Sequence, residues 1–297
     1  MRPKKITAVL SAVLAAVFYA VNMPASKVLL RRVAPTMMAA LLYLGAGIGI
    51  GILFLFSGGR KGETGRLTKE DLPYTLGMIV LDIIAPVFLM FGLAHTTSAN
   101  ASLLNDFEIV ATSVIALVAF RERISKRLWI AIFLVTLSSL ILSFENLSSL
   151  TFSWGSVLVL AAALCWGLEN NCTRKISSKN TCEIVMLKGF FSGLGSLGLS
   201  RLIGEELPQP ADCALTLLLG FVAYGLSIFF YIRAQSVLGA AKTSAYYALA
   251  PFAGAFFSFV FLHEALRENY LMALVIMLIG SAVAVFDTMA PRRAPER

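Results

Sequence analysis

Apolar runs of about twenty residues follow one another along nearly the whole chain, joined by short polar stretches. A bilayer core of about 30 Å needs about 20 such residues per helix. Ten segments meet that length, at 7–29, 35–56, 73–95, 99–119, 128–145, 153–173, 183–203, 213–235, 240–261 and 269–288. Backbone polar groups cannot go unpaired in lipid, so each run is a helix or a strand of a closed barrel. The runs lack the alternation of barrel strands, which selects helix. The predicted fold is therefore all-α integral membrane, with ten transmembrane helices. Composition agrees: charged residues make up 14% of the chain, against about 25% in soluble domains.

Charge then orients the chain. The net charge of +8 could suggest nucleic acid, but the basic residues fall in short loops between apolar runs instead of on one face. Placing the N-terminus in the cytoplasm puts Arg2/Lys4/Lys5, Arg60/Lys61/Arg66/Lys69, Arg121/Arg123/Lys126/Arg127, Arg174/Lys175/Lys179 and Arg292/Arg293/Arg297 on that side, leaving Arg31, Arg32, Arg201 and Arg267 outside. The expectation is a multi-pass protein of the cell (inner) membrane with both termini cytoplasmic. Met1–Lys5 followed by an apolar run resembles a signal peptide, yet the run continues to about Leu30 without a small-residue cleavage site, so it reads as an uncleaved first span. Gly58–Glu63 has the composition of a turn. Cys165, Cys172, Cys182 and Cys213 form no C-x-x-C pair and read as packing residues.

The two halves of the chain echo each other. Phe18–Lys27 lies without a gap over Cys165–Arg174, matching aromatic to aromatic, Asn22 to Glu169, Ser26 to Thr173 and Lys27 to Arg174. Further on, Ala119–Ile124 lies over Phe261–Leu266. Five spans per half is an odd number, so the second half enters the membrane from the opposite side. The predicted units are two inverted five-helix repeats, 1–146 and 147–297, and inverted repeats characterise secondary transporters.

The chain resembles the EamA-type branch of the drug/metabolite transporter superfamily. That pattern has an aromatic–Gly pair in the first helix of each repeat, a Glu–Pro pair in the fourth, and a Gly–Glu pair in the loop after it. Trp166-Gly167 fits the first and Tyr19-Ala20 fits it loosely. Glu108-Ile109 keeps the acid of the second while Ala250-Pro251 keeps its proline, and Arg121-Glu122 and His263-Glu264 keep the acid of the third. The resemblance implies transport of small organic solutes, often amino acids, amines or related metabolites.

Two residues stand out on energetic grounds. A carboxylate at bilayer centre costs about 2.5–3.5 kcal/mol on insertion scales, and Asp82 and Glu108 each sit near the middle of an apolar run. Such acids are expected to face a water-accessible interior. For Asp82 a structural ion pair with Lys188 is an open alternative. Helical spacing groups Ala101, Asn105, Glu108 and Thr112 on one face, while Asp106 points about 200° away from Glu108. Tyr19, Asn22 and Ser26 form a second stripe; Trp166, Glu169 and Thr173 form its repeat counterpart. Tyr224, Ser227 and Tyr231 follow, and Tyr247, with Tyr246 beside it, aligns with Asn105. The candidate substrate-binding residues are thus Tyr19, Asn22, Asp82, Asn105, Glu108, Trp166, Glu169, Tyr224, Tyr246 and Tyr247, the small, aromatic and acidic mixture that suits a modest organic solute. Lys27 and Arg174 are expected to reach toward headgroups, and Glu122 and Glu264 to cap or pair locally.

The functional expectation is a secondary active transporter, in the export direction, working by alternating access with protons as a candidate coupling ion. A facilitative carrier is the alternative and a channel a weaker one, since no rings of like charge are visible. The preponderance of acids in the spans favours amines and amino acids over phosphorylated solutes, which would need several cations. His95 and His263 lie near span ends and form no catalytic or metal constellation, so neither enzyme, metal nor cofactor is expected. No phosphate-binding loop is present, which argues against ATP coupling. A monomer should suffice, because both repeats lie in one chain.

Overall fold

The computed structural model describes residues 3–56, 65–120, 125–146, 151–238, 243, 246–247, 249–264 and 270–289. The predicted turn at 58–63, the loop acid Glu122, and Arg2, Arg60, Lys61, Arg121, Arg123, Arg267, Arg292, Arg293 and Arg297 lie outside them. Among the described residues, six helical spans are long and apolar enough to cross a membrane: Ile6–Leu29, Pro35–Phe56, Lys69–Ala94, Lys126–Ser143, Thr181–Leu202 and Pro210–Ala234. Two shorter apolar helices, Ala250–Leu262 and Tyr270–Ala284, come after these in the chain. The remaining helical rods are Trp154–Ile176 and the pair Ser98–Leu104 and Phe107–Phe120. A two-stranded ladder, Phe144–Asn146 with Thr151–Phe152, joins two rods.

The helices, numbered in chain order, are α1 (Pro3–Ala20), α2 (Asn22–Leu29), α3 (Pro35–Phe56), α4 (Leu72–Ala94), α5 (Ser98–Leu104), α6 (Phe107–Phe120), α7 (Lys126–Ser143) and α8 (Trp154–Ile176). Then come α9 (Thr181–Leu187), α10 (Gly193–Leu202), α11 (Pro210–Leu219), α12 (Ser227–Leu238), α13 (Ala250–Leu262) and α14 (Tyr270–Met289). Short polar side chains start several of them. The hydroxyls of Thr97, Ser125 and Ser153 accept the N–H groups of Asn100, Leu128 and Ser156, and Asn180 Oδ1 accepts those of Cys182 and Glu183. These caps satisfy amides that the first turn leaves unpaired.

Packing obeys the membrane pattern. Leu55, Phe56, Trp154 and Leu202 are more than three-quarters exposed, an apolar exterior that suits lipid. Inside, small residues let backbones approach. A Cβ on Gly220 would overlap the Leu42 carbonyl, so only glycine fits where that backbone crosses α3. Buried polar groups bond between rods: Ser138 donates to the Ala273 carbonyl at 2.6 Å and Asn100 to that of Leu142 at 3.0 Å.

The rods are interrupted at particular points. Val21 is a turn between α1 and α2, beside Pro24, which cannot donate to the Ala20 carbonyl. Pro86 sits within α4 and withholds the same bond from the Asp82 carbonyl. The expected continuous span 99–119 is broken at Asn105–Asp106. There the ladder tightens to three-residue steps, with Asp106, Glu108 and Ile109 donating to Leu103, Asn105 and Asp106. The expected span 240–261 has a turn at Leu249 before Ala250-Pro251 opens α13. Two π-helical segments, Lys188–Ser192 between α9 and α10 and Gly220–Leu226 between α11 and α12, complete the set. Each adds a residue to its turn and rotates the helix beyond it, a device common at functional sites.

Candidate functional site

These irregularities surround one buried polar region. Its first part is a charge cluster. Lys188 Nζ, from the first residue of its π segment, lies 3.2 Å from Asp82 Oδ2 on α4 and 2.9 Å from Glu169 Oε1 on α8. All three are buried, with exposures of 6%, 0% and 3%. The Tyr43 hydroxyl on α3 donates to Asp82 Oδ1 at 2.7 Å, and Thr173 donates to Glu169 Oε1. The open alternative for Asp82, an ion pair with Lys188, is thus what the structure holds, with Glu169 as a second acid on the same cation.

Glu108 forms the second part and is treated differently. It occupies the first turn of α6, just after the break, at the end of the helix dipole that favours a negative charge. Its Oε1 accepts from Asn170 Nδ2 on α8 at 2.5 Å, and Asn170 also reaches the Thr112 hydroxyl at 3.4 Å. Among the described residues Glu108 makes no ion pair. Gly167 permits this closeness of α6 and α8, because a Cβ there would lie 2.9 Å from Thr112 N. The aromatic–Gly pair Trp166-Gly167 is therefore a packing device at this point, and Trp166 itself is buried within the apolar core.

Aromatic rings make the third part. Tyr19 packs on Tyr224 and Tyr247 with centroids 6.0 and 5.8 Å away, Tyr43 on Tyr224 at 5.1 Å and Tyr231 on Tyr247 at 5.0 Å. Asn105 Nδ2 approaches the Tyr19 hydroxyl at 3.5 Å, Asn22 Nδ2 that of Tyr224 at 3.5 Å, and Ser227 shares a bond with Tyr247 at 3.4 Å. Beside Tyr19 a crevice lined by Ala20, Met23, Ser102 and Pro251 among others has no room for a water molecule. A ligand site usually holds a few hundred Å³, so the region is closed around its own side chains.

Of the expected residues, Tyr19, Asn22, Asn105, Glu108, Tyr224 and Tyr247 come together, Asp82 and Glu169 converge on Lys188, and Trp166 packs in the core. Tyr246 takes no part in the ring pairs described. Asp106 points away from Glu108 as expected and accepts from Ser281 at 2.5 Å. Tyr43 and Asn170 lie outside the expected set. Asn170 carries a signal, as the middle of Glu169-Asn170-Asn171, three polar residues inside an apolar helix; Tyr43 carries none.

Two residues expected at the surface or in local pairs are cross-links instead, and a second acid joins them. Lys27 does not reach for headgroups: its Nζ donates to the carbonyls of Leu93 and Thr96, both at 2.6 Å, closing the end of α4. Glu264 accepts from Ser98 N, Ser98 Oγ and Ala99 N, each at 2.9 Å, and so caps α5 from a distant loop. Glu205 does the same for α3 through Thr36 N and Met37 N at 3.1 and 2.7 Å.

Comparisons with known proteins agree with this architecture. Residues 6–144 and 153–286 each match the EamA-like transporter family. An uncharacterized transporter of Methanothermobacter thermautotrophicus is 26% identical over 291 residues, covering 91% of this chain and 84% of that protein. The uncharacterized transporter YyaM of Bacillus subtilis is 21% identical over 243 residues, covering 78% of each. A solved crystal structure superposes with a TM-score of 0.69 at 16% identity, covering 97% of this chain and 98% of the other, and so shares the fold.

Proposed function

We propose that this chain, which belongs to the EamA-like transporter family, carries a small organic cation or zwitterion across the cell membrane by alternating access. Amines, amino acids and related metabolites are the solute class. Two inverted five-helix repeats, 1–146 and 147–297, would form the moving halves, with both termini cytoplasmic and one chain sufficient. The carrying observation is Glu108, an acid in the protein interior held by a neutral amide, three residues beyond Asn105, which reaches the Tyr19 hydroxyl. A carboxylate lacking an internal cation has its charge available for a cationic group. The break at Asn105–Asp106 and the turn at Leu249 fall at similar places in the two halves, and paired interruptions of this kind mark transporter sites. Tyr19, Asn22, Asn105, Tyr224 and Tyr247 would complete the contacts, with Tyr246 beside them.

The test is flux in proteoliposomes against a panel of amines and amino acids. A charge-assisted hydrogen bond contributes about 1.5–3 kcal/mol, so Glu108→Gln should lower a saturable flux by roughly ten- to a hundredfold while reaching the membrane folded. Glu108→Asp should keep part of the activity. Wild-type flux in Glu108→Gln would sink the reading. Orientation is tested in a cysteine-free background: a cysteine at Arg66 should be shielded from an impermeant thiol reagent in intact cells and one at Glu206 labelled, and the reverse pattern would invert the topology.

A further inference from the structure

Unpaired oxygens gather at one helix crossing away from the charge cluster. Ser102 Oγ and Asn105 Oδ1 are buried atoms with no hydrogen-bond partner among the described residues, on side chains of residues 1% and 5% exposed. The two residues stand three apart and so share one face at the end of α5. Asn105 Nδ2 approaches the Tyr19 hydroxyl at 3.5 Å, which sets this face against the end of α1. There the buried Ala20 carbonyl precedes the turn between α1 and α2, and Pro24 has no N–H to give it. Gly254 of α13 completes the crossing. A Cβ built on it would lie 2.8 Å from Ser102 Oγ and 3.2 Å from the Ala20 oxygen, so two oxygens of different helices converge on one glycine. Pro251 likewise offers no N–H to the Tyr247 carbonyl, and the Tyr247 ring packs on Tyr19.

A buried oxygen without a donor bears its full desolvation cost, and such atoms call for an ion, a water or a role in function. Water is not the answer here, because the crevice between Tyr19, Ala20, Ser102, Pro251 and Gly254 has no room for one. An organic ammonium is larger than water and fails on the same ground. A bare sodium ion is smaller than water. Its usual hosts in transporters are carbonyls released where a helix is broken, joined by hydroxyl and amide oxygens. No carboxylate belongs to this set, whereas calcium and magnesium sites are built around carboxylates.

We infer that this crossing binds a single dehydrated sodium ion through Ser102 Oγ, Asn105 Oδ1 and the Ala20 carbonyl. Only the word coupling rests on the transport reading. The ion would tie α1 and α5 of the first repeat where they meet α13 of the second, so its arrival bears on how the halves pack. Asn105 links it to the solute region, with Nδ2 on Tyr19 and Oδ1 on the ion, three residues before Glu108.

The ion is tested without any solute. Full-length purified protein is unfolded thermally in sodium, potassium or choline chloride at one pH and one ionic strength, since a ligand of the folded state raises its unfolding temperature. Wild type should show a saturable rise in sodium and none in potassium beyond that in choline. Ser102→Ala removes one oxygen and leaves a small residue, so it should fold and need at least about tenfold more sodium for half the rise. Pro24→Ala restores an N–H to the Ala20 carbonyl and should weaken sodium in the same direction. No sodium-specific rise in wild type overturns the proposal, and so does a rise that both variants keep at unchanged sodium concentration. A rise lost in Glu108→Gln but kept in Ser102→Ala also overturns it, by placing the ion on the proposed solute acid. If Ser102→Ala and Pro24→Ala do not fold, Asn105→Asp takes their place: a carboxylate oxygen should lower the half-saturating sodium concentration, and an unchanged value overturns the assignment. Failure here leaves Glu108 as the solute contact, and an active Glu108→Gln transporter would leave the sodium site untouched.

Discussion

Asp82 and Glu108 are both carboxylates inside apolar rods, yet the protein surrounds them in opposite ways. Asp82 is fully buried, with Lys188 on one oxygen and the Tyr43 hydroxyl on the other. Glu108 is half-buried and has one neutral partner, Asn170. The insertion cost that draws attention to both acids is the same kind of cost, but it is offset differently. At Asp82 it is offset within the fold by a buried cation. At Glu108 it is offset by a neutral amide, which does not cancel a full charge. On the proposed reading an expensive residue marks a site where its partner is neutral, and the partner decides between holding the fold and holding a solute.

The contrast is open to attack at several points. Removing the cation from the first region should have the largest effect: Lys188→Met leaves two buried acids facing each other, and breaking a buried pair costs about 3–5 kcal/mol. Unfolding of the purified protein should show that loss, and adding Asp82→Asn should recover part of it. An unaltered unfolding midpoint in Lys188→Met would mean that the cation does not hold the cluster together. Next comes Gly220→Val, which forces a side chain into the Leu42 carbonyl beside Tyr43. Overpacking of this kind costs about 1–3 kcal/mol, and because Tyr43 and Tyr224 lie between the two regions, solute binding and the stability contributed by the charge cluster should suffer together. If only one suffers, the aromatic wall does not serve both.

Smaller effects lie at the ends of the broken rods. Glu264→Gln weakens the cap on α5 and should cost about 1 kcal/mol in thermal unfolding, a test of whether the cross-link holds the segment leading to Asn105. A loss no larger than that of an exposed surface change would remove Glu264 from the scaffold. Smallest of all, His263 ends α13 with φ 50°, the left-handed region. An L-residue pays roughly 1–2 kcal/mol there, and glycine gives back about 0.5–1 kcal/mol in chain entropy. His263→Gly should therefore stabilise by about 0.5 kcal/mol. Destabilisation instead would show that the His263 ring, not the backbone, is what the site needs.

The long rods are legible because lipid imposes one requirement over twenty residues at a time, and hydropathy averages over that length. The interruptions are legible only in part. Pro24 and Pro86 announce lost hydrogen bonds, whereas the break at Asn105–Asp106 is hidden because two polar residues in an apolar run still average to a span. The helix Trp154–Ile176 falls outside the six clear spans; Glu169-Asn170-Asn171 is the polar stretch that interrupts its apolar run. The π segments leave no trace, since an extra residue per turn has no composition, and with them the position of Lys188 between two acids is concealed. Tyr43 is one aromatic ring in an apolar run, and nothing local separates a ring that bonds Asp82 from one that fills space. The family's Gly–Glu pair acquires a physical meaning here: the first residue turns the chain left-handed, and the acid then crosses to cap another helix. Site residues are visible in the sequence where their cost is local and invisible where their role depends on a partner far along the chain.

The most direct test of the solute assignment is ligand-induced stabilisation, since a solute that binds only the folded state raises its unfolding temperature. Purified wild type is screened against amines and amino acids, and the best stabiliser is titrated into Glu108→Gln and Asp82→Asn at fixed pH. Glu108→Gln is predicted to lose the shift while Asp82→Asn, whatever its own stability, retains it. A full shift in Glu108→Gln, or its loss in Asp82→Asn alone, would contradict the assignment of the solute to Glu108.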